Sequence, residues 1–190
     1  SRIIDVNSNE EYCISFPIYD VYKDIALSLN FNRLALLRPD YGYYNKVVNI
    51  RTKDKQKLIQ SYDEDGIYKI NLLNNQILLL ISFSTIINLS SKHYIGGNFS
   101  LVHKFNHIMI SPDGEHFVFL HRYFVSGRKY DRLIISDIHG LNIKVLCDEQ
   151  MVSHYYWKDA TTIVCYMRIL SKEDGYYYID IKSNSINPID

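Results

Sequence analysis

Several residue types are scarce in this chain, and each scarcity removes a class of protein. Three cysteines, an odd number in 190 residues, do not make a disulfide framework. Cys13, Cys147 and Cys165 each sit beside apolar or aromatic residues, as small core fillers do, so a reducing, cytoplasmic compartment is expected over a secreted one. Glycine and proline number only 8 and 4, which excludes collagen-like and low-complexity architectures. The longest apolar run, Ile77 to Phe83, is strand-sized, so no membrane-spanning helix is expected. Charge of one sign is also missing: 21 basic residues balance 21 acidic ones. Without a broad positive field, neither nucleic acid nor an anionic membrane is an expected partner, although a local basic pocket stays open. The chain starts at Ser1-Arg2 with strand character already present, and is expected to begin inside a longer protein.

What is abundant is aromatic and β-branched. Seventeen Tyr, eight Phe and one Trp make up 14% of the chain, mostly in short Ile- and Val-rich runs bounded by Asp, Asn, Ser or Gly. That is the chemistry of half-buried strands. Turns fall to Glu64-Asp65-Gly66, Asn74-Asn75, Pro112-Asp113-Gly114, His139-Gly140 and Ser183-Asn184, which recur at hairpin spacing. A chain of this size buries roughly 70% of its unfolded surface, enough for one good core or two small ones.

An internal repeat organises the runs. Asn106 to Gly114 aligns without gaps on the segment beginning Ser153-His154, placing His107 over His154 at a shift of 47 residues. A second strand follows each, Glu115 to Leu120 and Thr161 to Met167, with His121 and Arg168 at matching exits. A third ends at Asp137 or Asp180, and a fourth follows at Asn142 to Leu146 or Ser185 to Ile189. Asp5, Asn71, Asp137 and Asp180 mark equivalent hairpins, separated by 66, 66 and 43 residues. Four-stranded meanders at this period predict an all-β, antiparallel fold of β-propeller blades. The blade-like repeats are a partial one at 1–17, then 18–81, 103–147 and 152–190. Three to four blades fall short of the usual closed ring, so a partial propeller is expected, either a fragment of a larger propeller or an unusually small single domain. Insertions cover Arg38 to Asp63, with a charged patch at Arg51 to Lys57, and Ser82 to Val102, with a short helix at Ser84 to Leu89.

Candidate chemistry follows from the repeat. His107 and His154 should start the innermost strands of consecutive blades, where equivalent positions converge on a channel. Two imidazoles there suit a divalent transition metal, or else each donates a ring N–H to a neighbouring backbone. His121 is read as a strand end where a loop begins. His93, His103, His116 and His139 are read as surface residues. Arg33, Arg122, Arg128, Arg132 and Arg168 offer guanidinium forks for a carboxylate or phosphate. Tyr41, Tyr43 and Tyr123 sit in or beside loops and could face a sugar ring. In Tyr155-Tyr156-Trp157, strand alternation puts at least one member in the core.

The turn Ser111-Pro112-Asp113-Gly114, with Asp137-Ile138-His139-Gly140 downstream, resembles the TolB-like propeller repeat. Within His107 to Tyr166, the order of His107, Leu120-His121-Arg122-Tyr123, Asp131-Arg132-Leu133 and Ser153-His154-Tyr155-Tyr156-Trp157 resembles the oligogalacturonate lyase type of propeller. The stretches Asn30 to Leu34 and Arg38 to Tyr43 are similar to related propellers of bacterial polysaccharide metabolism. The resemblance implies binding of an acidic sugar or oligosaccharide. It also implies a divalent metal such as Mn, held by His121, His154 and Gln150 with His107 nearby, and Arg132 as base in β-elimination. Arg122, Tyr123, Tyr41 and Tyr43 would contact the sugar. The alternative is a non-catalytic platform that docks protein partners through its loops, Arg38 to Asp63 above all.

Overall fold

The computed structural model describes residues 1–38 and 52–189. The Ile-, Val- and Tyr-rich runs pair as antiparallel strands in chain order. A hairpin of β1 (Arg2–Ile4) and β2 (Glu11–Cys13) comes first. The first sheet holds β3 (Asp20–Tyr22), β4 (Ile25–Leu29), β5 (Gly66–Asn71) and β6 (Ile77–Ser82). The middle sheet holds β7 (His103–Ile110), β8 (His116–Val125), β9 (Arg128–Asp137) and β10 (Lys144–Cys147). The third holds β11 (Val152–Trp157), β12 (Thr162–Met167), β13 (Gly175–Asp180) and β14 (Ile186–Pro188). The expected all-β architecture of four-stranded antiparallel meanders is present. The described residues do not close a ring: the outer face of the third sheet is uncovered, with Tyr156 69% and Tyr176 56% exposed.

The four hairpins read as equivalent open alike, although the turn after Asp137 is one residue longer and also takes positive φ at Gly140. Asp5, Asn71, Asp137 and Asp180 each accept backbone N–H bonds through Oδ1 from residues just ahead of them. Asn9, Asn75, Asn142 and Asn184 then take positive φ before the return strand. Asn is among the residues that visit this region at least cost. The backbone donors hold Asp5 and Asp180 below the usual carboxylate range.

Two readings need correction. The hairpin β8–β9 pairs ten residues on each side, from His116↔Asp137 to Val125↔Arg128, and turns at Ser126-Gly127, both with positive φ. His121, Arg122 and Tyr123 therefore lie inside a strand, not at its exit, and Ser-Gly was the unread signal. Two helices also bear on the first insertion: α1 (Phe31–Leu37), capped by the Asn30 side chain, ends just before it, and α2 (Thr52–Gln60) lies within it. The short helix α3 (Phe83–Ile87) stands where one was expected.

Alternation along the middle sheet builds two cores. Phe105, Phe117, Phe119 and Ile134 pack with Leu27, Ile67 and Phe83 of the first sheet and α3. Val118, Leu120, Leu133 and Ile135 pack with Trp157, Ile163 and Cys165 of the third. Each such side chain contributes about 1.5–3 kcal/mol of burial. A third, smaller core joins Ile14 to Ala26 and Ile70 under the β1–β2 hairpin.

The first strands of the sheets meet. The His107 N–H donates to Tyr19 Oη (2.9 Å) and the Ile110 N–H to Asp20 Oδ2 (2.7 Å). From the other side Tyr155 Oη donates to the His107 carbonyl, and Trp157 Nε1 donates to the Met109 carbonyl (3.2 Å). Side chains of β11 and of the chain entering β3 thus satisfy the free edge of β7.

Gly114 tests this sheet-to-sheet contact. Its φ is +79°, and a Cβ there would stand 2.1 Å from the Tyr22 ring, whereas Gly127, at the same φ, has open space around it. Gly127→Ala is expected to cost about 1–2 kcal/mol through backbone strain alone. Gly114→Ala should cost clearly more in urea unfolding, and equal costs would mean that the turn does not bear on Tyr22.

Candidate functional site

The site forms where two ladders break at the same place. β7 shifts register between Asn106 and Met109, and β11 between Val152 and Tyr155. His107 and His154, matched across the repeat, fall in these two irregularities, and His107 takes φ +55°. Such breaks re-aim side chains. Here they bring both histidines to one cavity of about 120 Å³, lined also by Tyr19, Ser153 and Tyr155. A wider cleft of about 470 Å³, lined by residues of β3, β7 and β11, adjoins it through Tyr19, Ile108 and Met109. Burial, with Arg122, His154, Arg38 and Lys104 nearby, pushes His107 down to about 4.

Behind His107 stands a row of charge. Lys104, Arg122 and Asp131 lie directly across three strands and share one face of the middle sheet. They are 3%, 5% and 1% exposed. Arg122 Nε is 2.8 Å and Lys129 Nζ 3.3 Å from the Asp131 carboxylate. The Arg122–Asp131 contact is not aligned as a hydrogen bond, so both groups keep bonding capacity. One carboxylate thus faces several cations. Burial first, then Arg122, Arg38 and Lys129, pushes Lys104 down to about 8, with Asp131 opposing.

His121 and Arg132 occupy the opposite face. Because neighbouring residues of a strand point to opposite sides, His121↔Arg132 is set apart from Arg122↔Asp131. His121 is fully buried and stacks on His103, with ring centroids 5.2 Å apart and an Nδ1···Nε2 distance of 3.0 Å. His103 Nε2 lies 3.1 Å from the Asn98 carbonyl and must donate to it, so the bond network assigns His121 Nε2–H as donor to His103 Nδ1. His103 is therefore a core residue, contrary to the surface reading, and burial pushes it down to about 4 and His121 well below its ordinary value. Arg132 is fully buried beneath Tyr94, 3.8 Å from the ring centroid, and its guanidinium has no hydrogen-bond partner among the described residues.

The other candidates disperse. Tyr123 is 1% exposed and packs against Tyr94 and Tyr130, so it cannot offer a face to a sugar. Gln150 accepts from Arg128 Nη2 (2.8 Å). Arg33 is buried against Asp65 (2.6 Å) and the carbonyls of Leu58 and Ile59, and Arg168 pairs with Asp174. Tyr155 and Trp157 turn inward while Tyr156 is exposed. His139 is exposed, and His93 and His116 are half-buried. Tyr41 and Tyr43 lie outside the described residues. Lys104 and Asn106 were missed, since strand parity relative to His107 and Arg122 emerges only with the register. Among the described residues no three His, Cys, Asp or Glu side chains come together to hold a metal ion. With His121 committed to His103 and Gln150 to Arg128, the ligand set implied by the resemblance does not fit.

Compared with protein-family models, curated proteins and solved structures, the chain has no match. Among the described residues no helix is long and apolar enough to cross a membrane.

The neutral histidines make stability depend on acid. His103 and His107 titrate near 4 when folded, and His121 well below its ordinary value, against about 6.5 unfolded. Below pH 6.5 the unfolded chain binds more protons, so stability should fall as pH drops from 6.5 towards 4 by about 1.4 kcal/mol per pH unit for each proton. Urea unfolding at pH 7.0, 5.5 and 4.5 checks this, and His107→Gln should flatten part of the slope.

Proposed function

We propose that the chain is a series of propeller-type blades that binds an acidic sugar or oligosaccharide at the His107–His154 pocket. The observation that carries this reading is the buried charge row: Lys104 and Arg122 are nearly inaccessible, with Asp131 as the one acid of the row. Among the described residues the row holds more buried cation than acid, which favours an anionic ligand that supplies the missing charge. Arg122 presents a planar fork suited to a carboxylate, and Lys104 a point charge beside it. The sugar identity comes from the resemblance of His107 to Tyr166 to oligogalacturonate-type propellers, and the convergent first strands agree with a propeller channel.

The reading is one of binding. Arg132, the expected base, lies on the opposite face of the middle sheet from the charge row, sealed under Tyr94, so it reaches no ligand in this pocket. Among the described residues no three candidate ligands come together, so the reading includes no metal. A second reading, a docking platform for a protein partner, draws on the uncovered tyrosines of the third sheet, Tyr156 and Tyr176.

Calorimetric titration with trigalacturonate and with a neutral hexose trimer tests the first reading. Saturable binding of the acidic trimer alone is expected, weakened roughly 10- to 100-fold by Arg122→Gln and by Lys104→Met, the loss expected for one charged hydrogen bond. Equal binding of the two trimers, or none, would sink it. Since Lys104 loses its proton above about 8, affinity should also fall as pH rises from 7.5 to 9, and this decline should vanish in Lys104→Met.

A further inference from the structure

We propose that the uncovered face of the third sheet is an interface whose occupant is a second copy of this chain, docked head to tail through its β1–β2 hairpin. The proposal rests on the docking reading of Tyr156 and Tyr176, not on the anion site. Alternation buries one face of β11, β12 and β13 and leaves the other open. On the open face Tyr166 and Tyr176 stand directly across from one another, with ring centroids 5.0 Å apart. Tyr178 lies between Val164 and Asn187, and Tyr156 continues the row beside Val164. A contiguous aromatic patch of this kind marks a contact surface.

The internal repeat shows what covers such a face. Counted back from the matching turns at Asp137 and Asp180, Leu133 corresponds to Tyr176 and Ile135 to Tyr178. The register then matches Leu120 to Tyr166 and Val118 to Val164. All four residues of the middle sheet are buried, at 4% exposure or less, by the apolar face of the sheet that follows. The tyrosines thus hold the positions of an inter-sheet core, and among the described residues no sheet follows theirs. The opposite end of the chain presents the complementary half. Ile4 corresponds to Ile70, Ser136 and Ile179, each just before its turn. Those three are 0%, 0% and 1% exposed, and Ile70 and Ile179 reach the element that precedes them, whereas Ile4 is 46% exposed. Its neighbour Ile3 packs onto the first sheet, so Ile4 and the exposed Cys13 look away from it. One chain therefore carries both halves of a single kind of contact, each uncovered. Because the halves differ, the contact between copies is heterologous. Pairing two tyrosine faces with each other would leave Ile4 in water, so the head-to-tail arrangement satisfies more of the chain.

Sedimentation velocity of the full chain tests it, with Tyr176→Glu and Ile4→Glu altering one face each. Both residues are half-exposed, so neither change disturbs a core. The wild type should associate as concentration rises, and each variant should weaken this at least about 10-fold, because it buries a charge without a partner. An equimolar mixture of the two variants should recover a one-to-one complex, since the intact tyrosine face of Ile4→Glu meets the intact hairpin of Tyr176→Glu. Three results would overturn the head-to-tail contact: a wild type that stays a single chain at every concentration, association that Ile4→Glu leaves unchanged, or no recovery from variants that melt like the wild type. Photo-crosslinking from Tyr176→p-benzoylphenylalanine, in cells making the protein, separates this inference from the docking reading beneath it. An adduct of twice the chain's mass is expected. An adduct of any other mass overturns the second copy as occupant and leaves the docking surface, and no adduct overturns both.

Discussion

Strand parity in the middle sheet is the constraint on which the rest depends. β8 and β9 pair over ten residues, and both faces of their sheet are buried, one against the first sheet and one against the third. A slip of one residue would send Phe117, Phe119 and Ile134 into the wrong core and exchange them with Val118, Leu120 and Leu133. The same parity divides the polar end of the hairpin. His121, Tyr123 and Arg132 enter an aromatic cluster with His103 and Tyr94, while Lys104, Arg122 and Asp131 go to the other side. Residues adjacent in sequence thus have unrelated environments, one an aromatic cluster around Arg132, the other the row of Lys104, Arg122 and Asp131.

The histidines of the aromatic side show how burial chooses a proton state. Stacked imidazoles that share one hydrogen bond, with a backbone carbonyl fixing the tautomer, need no charge, and a proton added to either would be desolvated and face Arg132. The charged side cannot resolve itself in this way, because Arg122 does not lose its proton in a protein. It keeps a positive surplus close to where two ladders break, and at the β7 break side chains from β11 and from the entry to β3 bond the strand edge. Inter-sheet hydrogen bonding and the opening of the pocket are one arrangement.

Much of the fold was legible in the residues. The repeat matched His107 to His154, although both lie at irregularities inside β7 and β11 and not at the strand starts expected of them, and the spacing of Asp5, Asn71, Asp137 and Asp180 marked equivalent hairpins. Composition and turn chemistry act over a few residues, so they survive in a linear reading. Less legible were α1, which ends just before the first insertion, and α2 inside it, where the residues show mainly a charged patch. The length of β8–β9 was also missed, because Ser126-Gly127 is a quieter turn signal than Asp-Gly.

The sequence by itself determined that the chain is all-β and antiparallel, that it repeats in four-stranded units, and that two histidines occupy matching positions. These follow from local propensity and periodicity, which each segment carries without its neighbours. Only the tertiary structure decided which polar residues share a site. It separated His121 and Arg132 from His107, turned His103 inward, and set Asn106 and Lys104 beside Arg122. The physical reason is register: which side chains meet depends on pairing between strands far apart in sequence, and one residue of offset reverses the answer.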